Sequence, residues 1–366
     1  MRIEFVEHAD GRLPTVISRV ADAPSVRGLA VLVADGSLSD PTVLDPTLQA
    51  LSVPAFGGVF PQVLHGGANH DDGAVVAGLS VEPTVTTVAG LADPSSSFRA
   101  ELPDPPGGGT AFVFADAYAA RVDAFVATLF RNWGVEVGYL GGGAGSLDGG
   151  QQPCVVTNDG VVENAATVAT VDRASSVGVR HGWQEVAGPF EITAASGRTI
   201  VDLEREPAFD VYSRVVEDDT GAPVAPEDFF DVAKSYPFGL SRLCGEKIVR
   251  DPYEVTDDDG LRCFGAVPEG QFVHVLRGNP EALVEAAGAA YDEAVSGAVD
   301  DGTVLFFDCI SRVLYLEDGF DAELDAVGGH DDPAFGALTI GEIANDGEGH
   351  LDYYNKTAVT AVIEDG

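Results

Sequence analysis

The residue types able to do chemistry gather toward the C-terminal end of the chain. An apolar segment over 302–309 ends in Cys309, and Arg312 follows closely. A second apolar segment, over 338–342, ends in Gly341 and Glu342, and Asn355 stands just before a third over 356–363. A thiol, a guanidinium, a carboxylate and an amide therefore fall at strand ends, where α/β proteins place their sites. A thiol beside an arginine can be depressed in pKa and serve as a nucleophile if a base lies near. His181, His274, His330 and His350 are the candidate bases, and no spacing selects one. Cys309 fits more readily a small packed core side chain, with a thiol in a ligand pocket between that and the nucleophile. Arg312 offers a fork for a carboxylate and Glu342 an acceptor for an ammonium, so the two would read a zwitterion such as an amino acid, or pair with each other. Asn355 would orient a ligand, or satisfy the turn after Tyr353 and Tyr354.

Two weaker signals lie upstream. Gly141, Gly142 and Gly143 let a backbone approach a ligand, or let two turns pack closely. They lack the order of a dinucleotide fingerprint and the lysine of a phosphate loop. His181, followed by Gly182 and Trp183, offers one imidazole, either structural or in contact with haem or another ligand. No HExxH, GxSxG or kinase motif is present.

Repeated elements would position these residues. Three apolar strands begin with glycine, over 28–35, 109–116 and 302–309. Counted from that glycine, Asp35, Asp116 and Cys309 share a step. A helical candidate follows each: one starting near Asp45 and Pro46, where Asp would cap and Pro take the first turn; one over 118–133; one over 319–327. Second strands over 54–58, 138–142 and 338–342 align Gly57 with Gly141 and Gly341, and Gly58 with Gly142 and Glu342. Closing strands run over 74–81, 161–171 and 356–363. The unit is strand, helix, strand, glycine turn, strand. Hairpin turns are expected over 157–160 and 256–260, a strand over 272–276 and a helix over 281–295 with Asn279 and Pro280 at its start. This predicts an α/β fold of two lobes with mixed sheets, 1–205 and 206–366, a short helix opening the second.

Composition bounds the reading. The chain has 366 residues, 45% hydrophobic, enough for substantial cores. Its 59 acidic and 20 basic residues give a formal charge of −39. Apolar content argues against acidic disorder, so the charge is expected to clothe a folded protein suited to high salt. No basic stripe exists for nucleic acid. No apolar run reaches the roughly 20 residues of a membrane span, and the first residues do not read as a signal peptide. Cys154, Cys244, Cys263 and Cys309 are isolated, without zinc-ligand spacing, and are expected as free thiols in the cytoplasm.

The segment FFDCISR, then FGALTIGEI, then the N-K-T of 355–357 resembles the C-terminal part of FIST-domain proteins. The matching positions are Cys309, Arg312, Gly341, Glu342, Asn355 and Thr357. PAFGGVF at 54–60, YLGGGAG at 139–145 and HGWQEVAG at 181–188 look like the family's N-terminal part. The resemblance, to a stand-alone member of haloarchaeal type, implies a sensory module that binds a small molecule, amino acids among them, and signals through a partner protein. Some members are described as haem-dependent sensors. Beside the ligand sensor stand a protein-interaction scaffold, a haem-dependent gas sensor with His181 as ligand, and a cysteine-dependent enzyme using Cys309. No catalytic residue is assigned.

Overall fold

The computed structural model describes every residue except 8–10, 149, 243–245, 299–301, 329–333, 346–348 and 365–366. It is a mixed α/β fold containing one four-stranded arrangement three times. In the first unit the strands lie in the order Arg2–Val6, Ala74–Leu79, Gly28–Ala34, Ala55–Phe60. In the second the order is Thr84–Ala89, Ala165–Val171, Thr110–Asp116, Gly138–Ala144. In the third it is Ser175–Arg180, Ala358–Glu364, Gly302–Cys309, Phe335–Thr339. Each time the glycine-led strand runs parallel to the second strand and antiparallel to the closing one.

The glycine-led strands are apolar along most of their length because both faces are covered. Phe112 and Phe114 face a central core shared with Phe56, Leu305, Phe307 and Phe335, so all three units meet there. Phe114 lies 5.7 Å from Phe307 and 5.5 Å from Phe60, edge to face. On the opposite face Ala111, Val113 and Ala115 pack beneath helix Val122–Trp133, which contributes Val122, Phe125, Leu129 and Trp133. Helix Pro280–Gly297 covers the third unit. Pro280 occupies its first turn and Asn279 caps it, accepting the Ala282 N–H at 2.8 Å.

A hairpin between the second and closing strands of each unit hands that unit to another. Gln62–His65, from the first, pairs with Phe335–Thr339 of the third. Val155–Thr157, from the second, pairs with Ala55–Phe60 of the first. The chain entering hairpin Ile343–Asn345 and Leu351–Tyr353, from the third, bridges to Gly138–Ala144 of the second through Glu342 and Gly142. The ring closes at one register step. Val63 lies opposite Ala337, Val155 opposite Gly58, and Glu342 opposite Gly142.

That register corrects the sequence alignment of the third unit. Gly57, Gly141 and Gly336 are the equivalent residues, paired with Val31, Val113 and Phe306. The third second-strand runs Phe335–Thr339 and stops before Gly341. Glu342 therefore stands where the other copies carry Val63 and Val155, not where they carry Gly58 and Gly142. Cys309 does share a step with Asp116, but Ala34, not Asp35, completes that set. Asp45 does not cap its helix either. Its Oδ1 accepts the Val161 N–H at 2.8 Å, and Asp40 caps the preceding turn through the Thr42 N–H at 3.0 Å.

Inserted into the third unit, between Ser175–Arg180 and helix Pro280–Gly297, is an antiparallel barrel. Its strands are ordered Gln184–Ser196, Phe272–Arg277, Phe238–Leu240, Ile248–Val255, Leu261–Phe264 and Thr199–Leu203, which returns to pair with Gln184–Ser196. Helix Ala208–Thr220 fills one side with Phe209, Val211, Tyr212 and Val216. Residue 205 falls in the tight link from Thr199–Leu203 to Glu206–Pro207, which adds to the same sheet.

Candidate functional site

Strand Gly302–Cys309 passes directly into helix Ile310–Leu316, with Cys309 as the residue preceding the first turn. Its side chain reaches the wall of a pocket of about 400 Å³ formed where the barrel meets the second and third units. Ser311, Gly341 and Asn355 join it from the third unit, and Arg198, Asp251, Tyr253 and Phe264 from the barrel. Tyr118 and Leu147 reach it from the second unit.

The polar residues here are not equally engaged. Asp251 Oδ2 accepts from the Ser311 hydroxyl at 2.8 Å and lies 3.2 Å from Lys356 Nζ. Burial raises the Asp251 pKa, and Lys356 and Ser311 oppose that rise. Lys356 is fully buried over the Trp183 ring, at 5.1 Å. Arg198 donates to the Ala119 carbonyl at 3.0 Å and lies 4.0 Å from Asp123. Arg198 Nε, however, has no hydrogen-bond partner, and Asn355 is less engaged still. It is 2% exposed, and its Oδ1 has no hydrogen-bond partner. A buried amide oxygen without a partner costs about 1–3 kcal/mol.

Behind Cys309 stands Glu342, fully buried. It takes the Thr339 hydroxyl at 2.7 Å, the Thr357 N–H at 3.3 Å and the Cys309 thiol. Burial pushes its carboxyl up to about 8. Burial likewise raises the Cys309 thiol, and Glu342 adds to the rise, although the backbone N–H groups of Lys356 and Ser311 act the other way. A thiol so placed favours its protonated form, which works against nucleophilic activation.

Arg312 takes a different role from the one expected. It is fully buried and turned away from the pocket. Its Nε donates to Glu323 at 2.9 Å and lies 3.1 Å from Asp308. Its terminal nitrogens donate to the carbonyls of His181 at 2.7 Å and Leu283 at 3.0 Å. Burial works against its charge, but Glu323 and Asp308 together outweigh that and raise its pKa. Arg312 is a structural hub, and Glu342 does not line the pocket, so these two do not jointly read a zwitterion.

Gly141, Gly142 and Gly143 are not a ligand cradle. Gly141 is forced by close approach to Val113. A side chain on Gly142 would meet Thr339 Cγ2 at 2.6 Å. The Gly143 N–H is spent on the Gly341 carbonyl at 2.7 Å. These glycines let the third unit cross close against the edge of the second. His181 also lies outside the pocket. Its Nδ1 accepts the Trp183 N–H at 2.9 Å, and burial first, then Arg312, lower its pKa to about 4. Because Nδ1 accepts, Nε2 carries the ring proton and lies 3.7 Å from Glu246, so His181 presents no free nitrogen to a haem iron. Of the candidate bases, His330 lies outside the described residues; His181, His274 and His350 do not line the pocket.

Cys309, Gly341 and Asn355 are thus brought together as expected. Sequence reading missed Arg198, Asp251, Tyr253 and Phe264, which come from the inserted barrel, and Ser311. Only Ser311 had a local signal, its place between Cys309 and Arg312.

Comparison with known families settles what this arrangement belongs to. The FIST N domain model matches residues 12–206 and the FIST C domain model residues 208–345. The chain belongs to the FIST family. FIST domains are associated with signal-transduction sensing. In this FIST protein Cys309, Arg312, Gly341 and Glu342 fall within the C-domain match, and Gly141, Gly142, Gly143 and His181 within the N-domain match; Asn355 lies beyond both. No curated protein matches the chain. Among the described residues no helix is long and apolar enough to cross a membrane.

Proposed function

We infer that this FIST protein is a small-ligand-binding sensory module whose ligand occupies the pocket beside Cys309 and Asn355. The observation that carries this reading is the unpartnered Oδ1 of Asn355, a residue of the pocket wall that is 2% exposed. A ligand donor there would remove a desolvation cost already present in the fold. Leu147, Phe230 and Leu314 are 51%, 49% and 39% exposed and line the same pocket, an apolar surface that a ligand would cover.

The ligand class we propose is an amino acid or a related small molecule. Opposed charges do line the pocket, but they are Arg198 and Asp251. Arg198 would take a carboxylate and Asp251 would share its charge between Lys356 and a ligand ammonium. The output would pass to a signalling partner protein in the cytoplasm, and no catalytic step is assigned. The charge of −39 supports a further element of the reading, that the fold is built for high salt.

The test is a thermal-shift screen in molar KCl against amino acids and related metabolites. A ligand at one hundred times its dissociation constant adds about 2.7 kcal/mol of stability, and the shift should vanish in Asn355→Leu. A flat response to the whole panel would favour an interaction scaffold without ligand.

A further inference from the structure

A second depression, of about 450 Å³, lies on the second unit, far in composition from the first. It is lined by Ser96, Ser97, Arg99, Arg121, Thr128, Arg131 and Asn132 around Phe98. Three arginines around one opening stand out in a chain with 20 basic against 59 acidic residues. Several other surface arginines are neutralised: Arg2, Arg19, Arg180, Arg214, Arg262 and Arg277 each pair with a carboxylate. Among the described residues Arg99, Arg121 and Arg131 form no such pair.

Nearby carboxylates are turned to other work. Glu101 accepts the Ala89 N–H at 3.0 Å. Asp93 accepts the Ser95 N–H and hydroxyl, both at 2.8 Å, and those bonds hold its carboxyl low, with a smaller contribution from Arg121. Asp123 accepts the Ala266 N–H at 3.0 Å and lies 3.4 Å from Arg250.

Arg121 and Arg131 are also held in place. Arg121 lies over the Phe98 ring at 4.6 Å and donates to the carbonyls of Asp93 and Ser96. Arg131 donates to the Thr128 hydroxyl at 2.9 Å, and Asn132 to the Pro103 carbonyl at 3.3 Å. Guanidinium forks, with hydroxyls and an amide between them, match an anion with several acceptor oxygens better than a single carboxylate. A positive recess in a strongly negative surface also concentrates such anions locally.

We propose that the depression around Arg99, Arg121 and Arg131 is a binding site for a phosphate group, separate from the Asn355 pocket. The group could belong to free phosphate or to a phosphorylated small molecule. Titration calorimetry of the full chain distinguishes them, run in the lowest KCl that keeps a native circular dichroism spectrum. Inorganic phosphate should bind with one-to-one saturation, and the double variant R99Q/R131Q, whose changes are on exposed side chains, should weaken it at least tenfold without shifting the melting temperature. Tighter binding of glycerol phosphate assigns a phosphorylated ligand; equal or weaker binding assigns free phosphate. No saturable heat from either compound, undiminished affinity in R99Q/R131Q, or acetate binding as tightly as phosphate would overturn the proposal.

Discussion

At two of the three junctions between strand units the contact is apolar, Val63 against Ala337 and Val155 against Gly58. At the third the same register step places Glu342 against Gly142. Backbone pairing is conserved around the ring while the chemistry changes at one seam. That seam is also where the ring meets the inserted barrel and where the Asn355 pocket opens. The polar residues there divide by what they face. Arg312 holds one oxygen each of Asp308 and Glu323 inside the wall, leaving Asp308 Oδ2 and Glu323 Oε2 without a partner there, and Asn355 and Asp251 line the pocket. The difference separates polar groups buried inside the seam from those lining the pocket.

Removing the internal hub should have the largest effect. Arg312→Met leaves Asp308 and Glu323 buried without their cation, and breaking such a network costs about 3–5 kcal/mol. Denaturant unfolding in high salt measures it, and a loss below about 1 kcal/mol would mean that Arg312 is not the hub of this seam. Next is the close crossing of second and third units. Gly142→Ala forces a methyl to within 2.6 Å of Thr339 Cγ2, an overpacking cost of about 1–3 kcal/mol. The same change at Gly150, where a Cβ would meet nothing within 4 Å, should leave the unfolding midpoint in place.

The seam should also carry a pH signature that the apolar junctions lack. Glu342 is raised from 4.5 to about 8 by burial, so the folded protein holds this proton more tightly than the unfolded chain does. The stability it contributes is complete below about pH 4.5 and is lost as pH rises through about 8. Melting temperature followed across that window should fall more steeply for the wild type than for Glu342→Gln; parallel curves would remove Glu342 from the account. The smallest effect is expected at Cys309. Because burial raises its thiol, alkylation at neutral pH should be slower than that of free cysteine. Fast labelling would restore the reading of a catalytic thiol.

Much of the ring was legible in the sequence. The glycine-led strands, their helices and the closing strands announce themselves by apolar runs between glycines, since both faces of each strand are buried. The register of the third unit was not legible. Gly341-Glu342 looks like the Gly-Gly of the other copies, but its positive φ serves a turn, and pairing is fixed by a hairpin reaching another unit. The use of Arg312 was hidden for a different reason. Its partners Asp308 and Glu323 are two of 59 acidic residues, and nothing local marks the two that are buried. Arg198 and Asp251 reach the pocket from an inserted barrel, so no spacing along the chain links them to Cys309.

The central claim is that Asn355 marks a ligand pocket and not a flaw in packing. Asn355→Leu separates the two, because replacing a buried amide whose oxygen has no partner should not destabilise the fold and can relieve a cost of about 1–3 kcal/mol. Titration calorimetry of the amino acid that most stabilises the wild type should show one-to-one binding, weakened at least tenfold in Asn355→Leu with folding intact. Binding of unchanged affinity in that variant would contradict the account.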